Sequence, residues 1–257
     1  MPQFIQSKDN PKLKHLRGLI EQASLRKKQQ QTVLEGSHIL ESYLHTGQQP
    51  GCMFTTEQGF EHPDNQDALA LSTCPVFIIT EQLYKSVSPL VQTTPLLAII
   101  DLPQIEQRWF GTQDTLILDK IQDPGNVGTL LRSAAASGVK QVLTTAGTAS
   151  LWSPRVLRAA MGAHFSLALF ESIEYEHILT EFKIPIYATS SHRPVSIYNL
   201  DLTSPCVWIL GNEGQGVEET LLQQATAVTI PQPGGQESLN VAIAGSICLF
   251  EMTRQRL

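Results

Sequence analysis

Three short segments gather residue types that could act on a polar substrate. The first, LDKIQDPGNVGTLLRSAAASGV (118–139), holds Asn126 in a turn-forming Asp-Pro-Gly-Asn cluster and Arg132 six residues further on. Arg132 is the one charge between Asp123 and Lys140, in a stretch otherwise small and apolar. A guanidinium there asks for a phosphate or carboxylate partner, although a plain surface arginine fits the same pattern. The second, VWILGNEGQGVEE (207–219), runs from four apolar residues into three glycines within six positions, with Glu213 among them. Such a loop permits positive φ and close approach of main chain to a ligand. The third, VTIPQPGGQESLNVAIAGSICLFEMTRQR (228–256), passes through a Gly-Gly loop into a helix expected to start near Ser238, with Asn240 beside it. Free N–H groups at a helix start favour an anion, and a simple cap is the alternative role for Ser238 and for Asn126.

Other chemistries lack their residues. There is no G-x-G-x-x-G or G-x-x-x-x-G-K-[ST] phosphate fingerprint and no G-x-S-x-G nucleophile elbow. The cysteines Cys52, Cys74, Cys206 and Cys248 stand apart, with no zinc-type spacing, so free thiols and no metal are expected.

The elements that would position these segments alternate regularly. From residue 115 onward, strands at TLILDKI, VKQVLTTA, LALFES, IPIYATS, CVWILG and AVTIP interleave with helices at GTLLRSAAASG, RVLRAAMGAH, 175–182, EETLLQQAT and about 239–254. That order predicts an α/β domain with a parallel sheet and helices on both faces, whose ligands lie at the carboxyl ends of strands. The first hundred residues read as a smaller α/β domain. It has a helix over 11–23, a strand at TVLEG, a helix over 37–46 capped by Ser37, short apolar runs (CMFTT, LALS, VFIIT), a helix over 81–90 and a strand over 95–101. The expected division is 1–104 and 113–257, with a linker at about 105–112.

With 42% hydrophobic and 16% charged residues, the chain can bury a core, and no apolar run approaches the ~20 residues of a membrane span. The N-terminus shows no apolar signal region, and a cytoplasmic location is expected. Net charge is −6, yet seven basic residues lie in the first 28 against only Asp9 and Glu21. That segment therefore carries +5 and the remainder −11. Lys8, Lys12, Lys14, Arg17, Arg26, Lys27 and Lys28 are candidate RNA-phosphate contacts, unless they are simply a solvated helix face.

Taken together, Asn126 with Arg132, LGNEGQGV with Glu213, and IPQPGGQESLNVAIAGSICLFE with Ser238 and Asn240 resemble the three signature motifs of the SPOUT methyltransferases, in particular the TrmH-like RNA 2′-O-ribose methyltransferases. The resemblance spans about residues 115–257. SKDNPKLKHLRGL and TVLEGSHILE resemble the small RNA-binding domain that often precedes that catalytic domain. One departure is Gln232, where the family more often has Met after Ile-Pro. The resemblance implies a deep trefoil knot, a homodimer with the active site near the subunit interface, and S-adenosylmethionine as cofactor. It implies a catalytic set of Asn126, Arg132, Glu213, Ser238 and Asn240. Thr189, Ser190, Leu210, Gly211, Asn212, Gly216, Ile230, Gln232 and Leu239 would hold the cofactor. A large folded RNA is the implied substrate, ribosomal before transfer RNA. A non-catalytic RNA-binding or ribosome-assembly protein on the same fold, and an enzyme using LGNEGQGV for a different nucleotide, are the competing readings.

Overall fold

The computed structural model describes residues 2–88, 94–103, 108–190, 195–234 and 238–257. Part of the expected linker at 105–112, the end of the helix expected over 81–90, and residues 235–237 of the third segment lie outside them. In chain order the N-terminal elements are β1 (Gln3–Ile5), α1 (Pro11–Glu21), α2 (Ala23–Gln29), β2 (Gln31–Glu35), α3 (Ser37–Leu44), β3 (Cys52–Thr55), α4 (Glu57–Glu61), α5 (Pro63–Leu71), β4 (Val76–Ile79), α6 (Glu81–Val87) and β5 (Leu96–Asp101). There follow β6 (Thr115–Leu118), α7 (Pro124–Ala136), β7 (Gln141–Thr144), α8 (Pro154–Ala160), β8 (Ala168–Phe170), α9 (Tyr175–Glu181), β9 (Ile186–Thr189), β10 (Val195–Ser196), β11 (Val207–Leu210), α10 (Glu219–Leu222), β12 (Thr226–Thr229) and α11 (Val241–Arg256).

These elements fall into two compact units. One comprises Met1–Gln104 with Trp152–Phe165, the other Ile105–Leu151 with Ser166–Leu257. α8 thus groups with the N-terminal unit, although its sequence sits inside the alternating pattern of the C-terminal one.

In the N-terminal unit the strand order is β1-β4-β3-β5-β2, with β1, β4 and β3 mutually parallel and β5 antiparallel to both β3 and β2. α1 places Leu13, Leu16 and Leu19 on one face, fully buried against Val33, Phe54, Phe77 and Leu97. Each such leucine contributes about 1.5–3 kcal/mol of burial. Asn10 caps α1 and Pro11 opens it. α3 begins where expected, but its N-cap is Gly36 at φ 107 with no side-chain cap; Ser37 is already helical. The LALS run is the end of α5, a helix opened by Pro63, and α2 lies in the polar stretch ASLRKKQ.

The C-terminal unit is an all-parallel seven-stranded sheet in the order β10-β12-β9-β11-β6-β7-β8. β6, β7 and β11 are buried at every residue, so Leu116–Leu118 and Val207–Leu210 read as apolar runs without alternation, while β7 buries Gln141, whose amide donates to the Phe110 carbonyl and to Thr115 Oγ1. α10 is a single turn, and the edge strand β10 comes from a stretch with no strand signal. α11 lies close against the sheet because Gly245 leaves room: a Cβ there would meet Leu130 and Leu210 side-chain atoms at 2.4 Å. Among the described residues no helix is long and apolar enough to cross a membrane.

Candidate active site

α7 begins four residues before the predicted Gly128. Asp123, not Asn126, is its N-cap, with Oδ1 accepting from the Asn126 N–H at 2.8 Å and Pro124 in the first turn. Asp-Pro supplies both the cap and the preset φ, which releases the Asn126 side chain for other work. α11 in turn starts at Val241 and not at Ser238. Asn240 caps it, Oδ1 accepting from the N–H groups of Ala242 (2.9 Å) and Ile243 (3.2 Å).

The two asparagines and Glu213 then form one directed chain of hydrogen bonds. Helix N–H groups only donate, so Asn240 must turn its oxygen to them and its Nδ2 outward. That Nδ2 donates to Asn126 Oδ1 at 3.0 Å, and Asn126 Nδ2 donates to Glu213 Oε1 at 2.6 Å. A carboxylate only accepts, so both ends of the chain fix the same orientation of both amides. Three segments distant in sequence are joined at one point.

Glu213 sits in a loop whose shape depends on Asn212 and two glycines. Asn212 exchanges main-chain hydrogen bonds with Gly216 (3.1 and 2.8 Å). Its side chain accepts from Gly214 and Gln215 N–H and donates to the Lys120 carbonyl. Gly216 has φ +74, and a Cβ at Gly211 would lie 2.2 Å from the main chain of Gly216 and Val217. No other residue fits at Gly211.

Beside the loop, at the carboxyl ends of β9, β11 and β12, is a cavity of about 460 Å³. Of the positions assigned to a cofactor, Thr189, Ser190, Gly211, Asn212, Gly216, Ile230, Gln232 and Leu239 line it, as do Glu213 and Ser238. Leu210 does not: its side chain is buried against the Gly245 position and its carbonyl accepts from the Asp119 N–H at 2.8 Å. Val217, Leu222, Val228, Val241 and Ala244 add an apolar wall that carried no separate signal in the sequence. Gln232 Oε1 is buried and has no hydrogen-bond partner among the described residues.

Arg132 and Asn240 lie outside the cavity lining, as does Asn126. Arg132 is exposed on α7, in no ion pair or hydrogen bond with another described residue. It lies about 9 Å along the helix from Asn126 and about 120° round it, from 1.5 Å and 100° per residue. The structure therefore joins Asn126, Glu213 and Asn240 and leaves Arg132 an open cation.

A supporting group was missed. Asp119, fully buried at the end of β6, accepts from Thr145 Oγ1 (2.7 Å), Tyr175 OH (3.1 Å) and the Glu218 N–H (2.8 Å). It thereby ties the end of the glycine loop to the sheet. Next to it Lys120, at φ +55, pairs with Glu218 at 2.5 Å; the Glu218 carboxylate and the Tyr175 hydroxyl hold its ammonium above the ordinary lysine range. Lys120 likewise holds Glu218 below the usual carboxylate range. The one available signal was a carboxylate closing an unbroken apolar strand.

The basic N-terminal segment divides. Lys8, Lys12, Lys14, Lys27 and Lys28 are exposed, with Lys14 paired to Asp9 (2.8 Å) and Lys12 Nζ 4.6 Å from the centre of the Phe77 ring. Arg17, half-buried, donates to Ser86 Oγ. Arg26 is a correction: it is buried, and Nη1 donates to the carbonyls of Leu19 (2.8 Å) and Ile20 (3.2 Å). These are last-turn carbonyls of α1 without helical partners, and the guanidinium serves them instead of a phosphate. A second cavity, about 360 Å³, opens at the carboxyl ends of β1, β3 and β4 and is lined by Phe4, Gln6, Glu57, Gln58 and Glu81 among others.

The cysteines offer no nucleophile. Burial pushes the Cys52 thiol up to about 11 and Cys206 up to about 12. Among the described residues no group of three or more His, Cys, Asp or Glu side chains could hold a metal.

Residues 114–250 match the SpoU rRNA Methylase family, and residues 10–98 the MRM3-like substrate binding domain. An uncharacterized tRNA/rRNA methyltransferase of Synechocystis is 33% identical over 98% of this chain and 94% of its own. The 23S rRNA guanosine 2′-O-methyltransferase RlmP of Bacillus subtilis is 28% identical over 96% of this chain and 98% of its own. An AdoMet-bound rRNA methyltransferase from Sinorhizobium meliloti superimposes with a TM-score of 0.83 at 25% identity, covering 99% of this chain and 98% of that one.

Proposed function

The chain belongs to the SpoU rRNA Methylase family, an RNA methyltransferase family, and on that premise we propose that it methylates a ribose 2′-hydroxyl of ribosomal RNA with S-adenosylmethionine. The observation that carries this reading is the Asn240–Asn126–Glu213 chain of hydrogen bonds, which brings all three motif segments together at the edge of the cavity. The cavity suits the cofactor in three respects. Its volume falls in the small-molecule range, its glycine wall allows main chain to approach a ligand, and Gln232 Oε1 offers a buried acceptor in want of a donor. When bound, the cofactor supplies an electrophilic sulfonium methyl group.

The residues of the chain divide the remaining work. A 2′-hydroxyl is a weak nucleophile at neutral pH and must be oriented and relieved of its proton. Arg132 suits a clamp on the flanking phosphate, because a guanidinium offers a planar fork of N–H donors that matches phosphate oxygens. Held so, a phosphate oxygen can take the hydroxyl proton. Ser238 and Asn126 orient the ribose, and Glu213 and Asn240 fix the pocket wall. Residues 1–104 would bind the RNA, with Lys8, Lys12, Lys14, Lys27 and Lys28 facing its phosphates. Ile243 and Phe250, 54% and 48% exposed and two turns apart on α11, support a homodimer through that helix. The trefoil knot and a cytoplasmic setting belong to the same reading.

Calorimetric titration with S-adenosylhomocysteine, followed by mapping of 2′-O-methyl groups in ribosomal RNA from a deletion strain, tests it. Micromolar binding and one lost methyl group are the expected results. Binding without a lost ribosomal site, but with one lost from transfer RNA, would move the substrate. Absence of binding by a folded protein would sink the cofactor assignment.

A further inference from the structure

Within the cavity, Gln232 poses a problem that the rest of the wall does not. A buried polar atom is ordinarily hydrogen-bonded, and leaving one unpaired is unfavourable enough to demand an explanation. Gln232 Oε1 is buried without a partner among the described residues, and Gln232 is also one of the residues lining a cavity wide enough to admit a donor. An acceptor of this kind is complete only when a ligand brings an N–H to it.

The charge distribution says which N–H. Glu213 is the one charged residue among the described residues lining the cavity, and it is exposed. Cationic parts of a ligand, an ammonium or a sulfonium, are drawn to that carboxylate. A neutral, half-buried amide on a strand-end segment that also presents Val228 and Ile230 suits a neutral donor on a flat, largely apolar ring. Glutamine amides meet adenine in this way elsewhere, pairing with its 6-amino group and N7.

We propose that Gln232 is a specificity-determining residue that reads the 6-amino group of the cofactor's adenine through its side-chain amide. The inference rests on the cofactor reading above and adds to it a side-chain contact that rejects ligands with a 6-oxo purine. It predicts stricter purine discrimination than a wall of main chain and apolar groups alone would give.

The test is a cycle of four titrations by calorimetry. Wild-type protein and Gln232→Leu are each titrated with S-adenosylhomocysteine and with S-inosylhomocysteine, its 6-oxo analogue, with thermal unfolding as the check that the variant folds. Wild type should prefer the amino ligand on the order of tenfold, the usual consequence of leaving one polar partner unmatched. The variant should lose most of that preference by binding S-adenosylhomocysteine more weakly. An unchanged preference in a folded Gln232→Leu overturns the inference and leaves the cofactor reading standing. Binding of neither ligand by wild type overturns both.

Discussion

The two units each open a cavity at the carboxyl ends of parallel strands, but the walls differ in kind. In the C-terminal unit much of the wall is main chain, brought close by Gly211 and Gly216 and braced by Asn212 and Asp119. In the N-terminal unit no glycine is among the described residues lining the cavity, which include Phe4, Gln6, Glu57, Gln58 and Glu81. A main-chain wall constrains residue identity sharply, because a single added methyl collides with backbone. A side-chain wall can be rebuilt from many residues, so it leaves little trace in the chain.

Four measurements would break or sharpen that contrast. The largest effect belongs to Arg132, the open cation on α7. Arg132→Ala should lower turnover about 10²- to 10³-fold, as loss of one charge-stabilising donor does, while S-adenosylhomocysteine binds within a factor of about two. Near-normal turnover would remove Arg132 from the reaction. Next, Gly211→Ala should weaken S-adenosylhomocysteine binding by at least about tenfold and lower the melting temperature, whereas Gln58→Ala in the other cavity should leave stability within about 0.5 kcal/mol. Equal responses at the two positions would mean that the walls do not differ as described.

Arg26→Ala should destabilise the protein by about 1–3 kcal/mol, read in urea, because two helix-end carbonyls lose their buried donor. Its RNA affinity at a temperature where it stays folded should be near normal. Lys27→Ala and Lys28→Ala should do the reverse. Stability should hold, and RNA affinity should fall about two- to fivefold, with a salt dependence shallower by about one for each lysine. If Arg26 and Lys28 behave alike, the division of the basic segment is wrong.

The same contrast explains what the sequence disclosed. β6 and β11 were legible because strands buried on both faces favour apolar residues, giving Leu-Ile-Leu and Val-Trp-Ile-Leu. The glycine loop and the Asn126–Glu213–Asn240 set were legible because few residues can make those bonds. The start of α7 was misplaced because Asp123 and Asn126 are both good caps, and only the three-dimensional bonds show which one serves. α5 was hidden because PDNQDALAL has no clear apolar stripe. Arg26 and Lys27 are neighbours of like charge, and nothing local to them says that one points inward to α1. Asp119 is the same case: its hydroxyl partners Thr145 and Tyr175 lie 26 and 56 residues away.

α8 bears on how the protein is made. Leu157 and Val156 are fully buried, α8 packs along β2, and the Thr32 hydroxyl donates to the carbonyl of Trp152 at 2.7 Å. The N-terminal unit is therefore incomplete when translation reaches its own last strand. It must wait, with part of β2 uncovered, until the chain has been extended through β6, α7 and β7 to Phe165. A fragment ending at Gln104 would carry that uncovered face permanently, and grafting the unit onto another protein as a single contiguous cassette would leave its own closing segment behind.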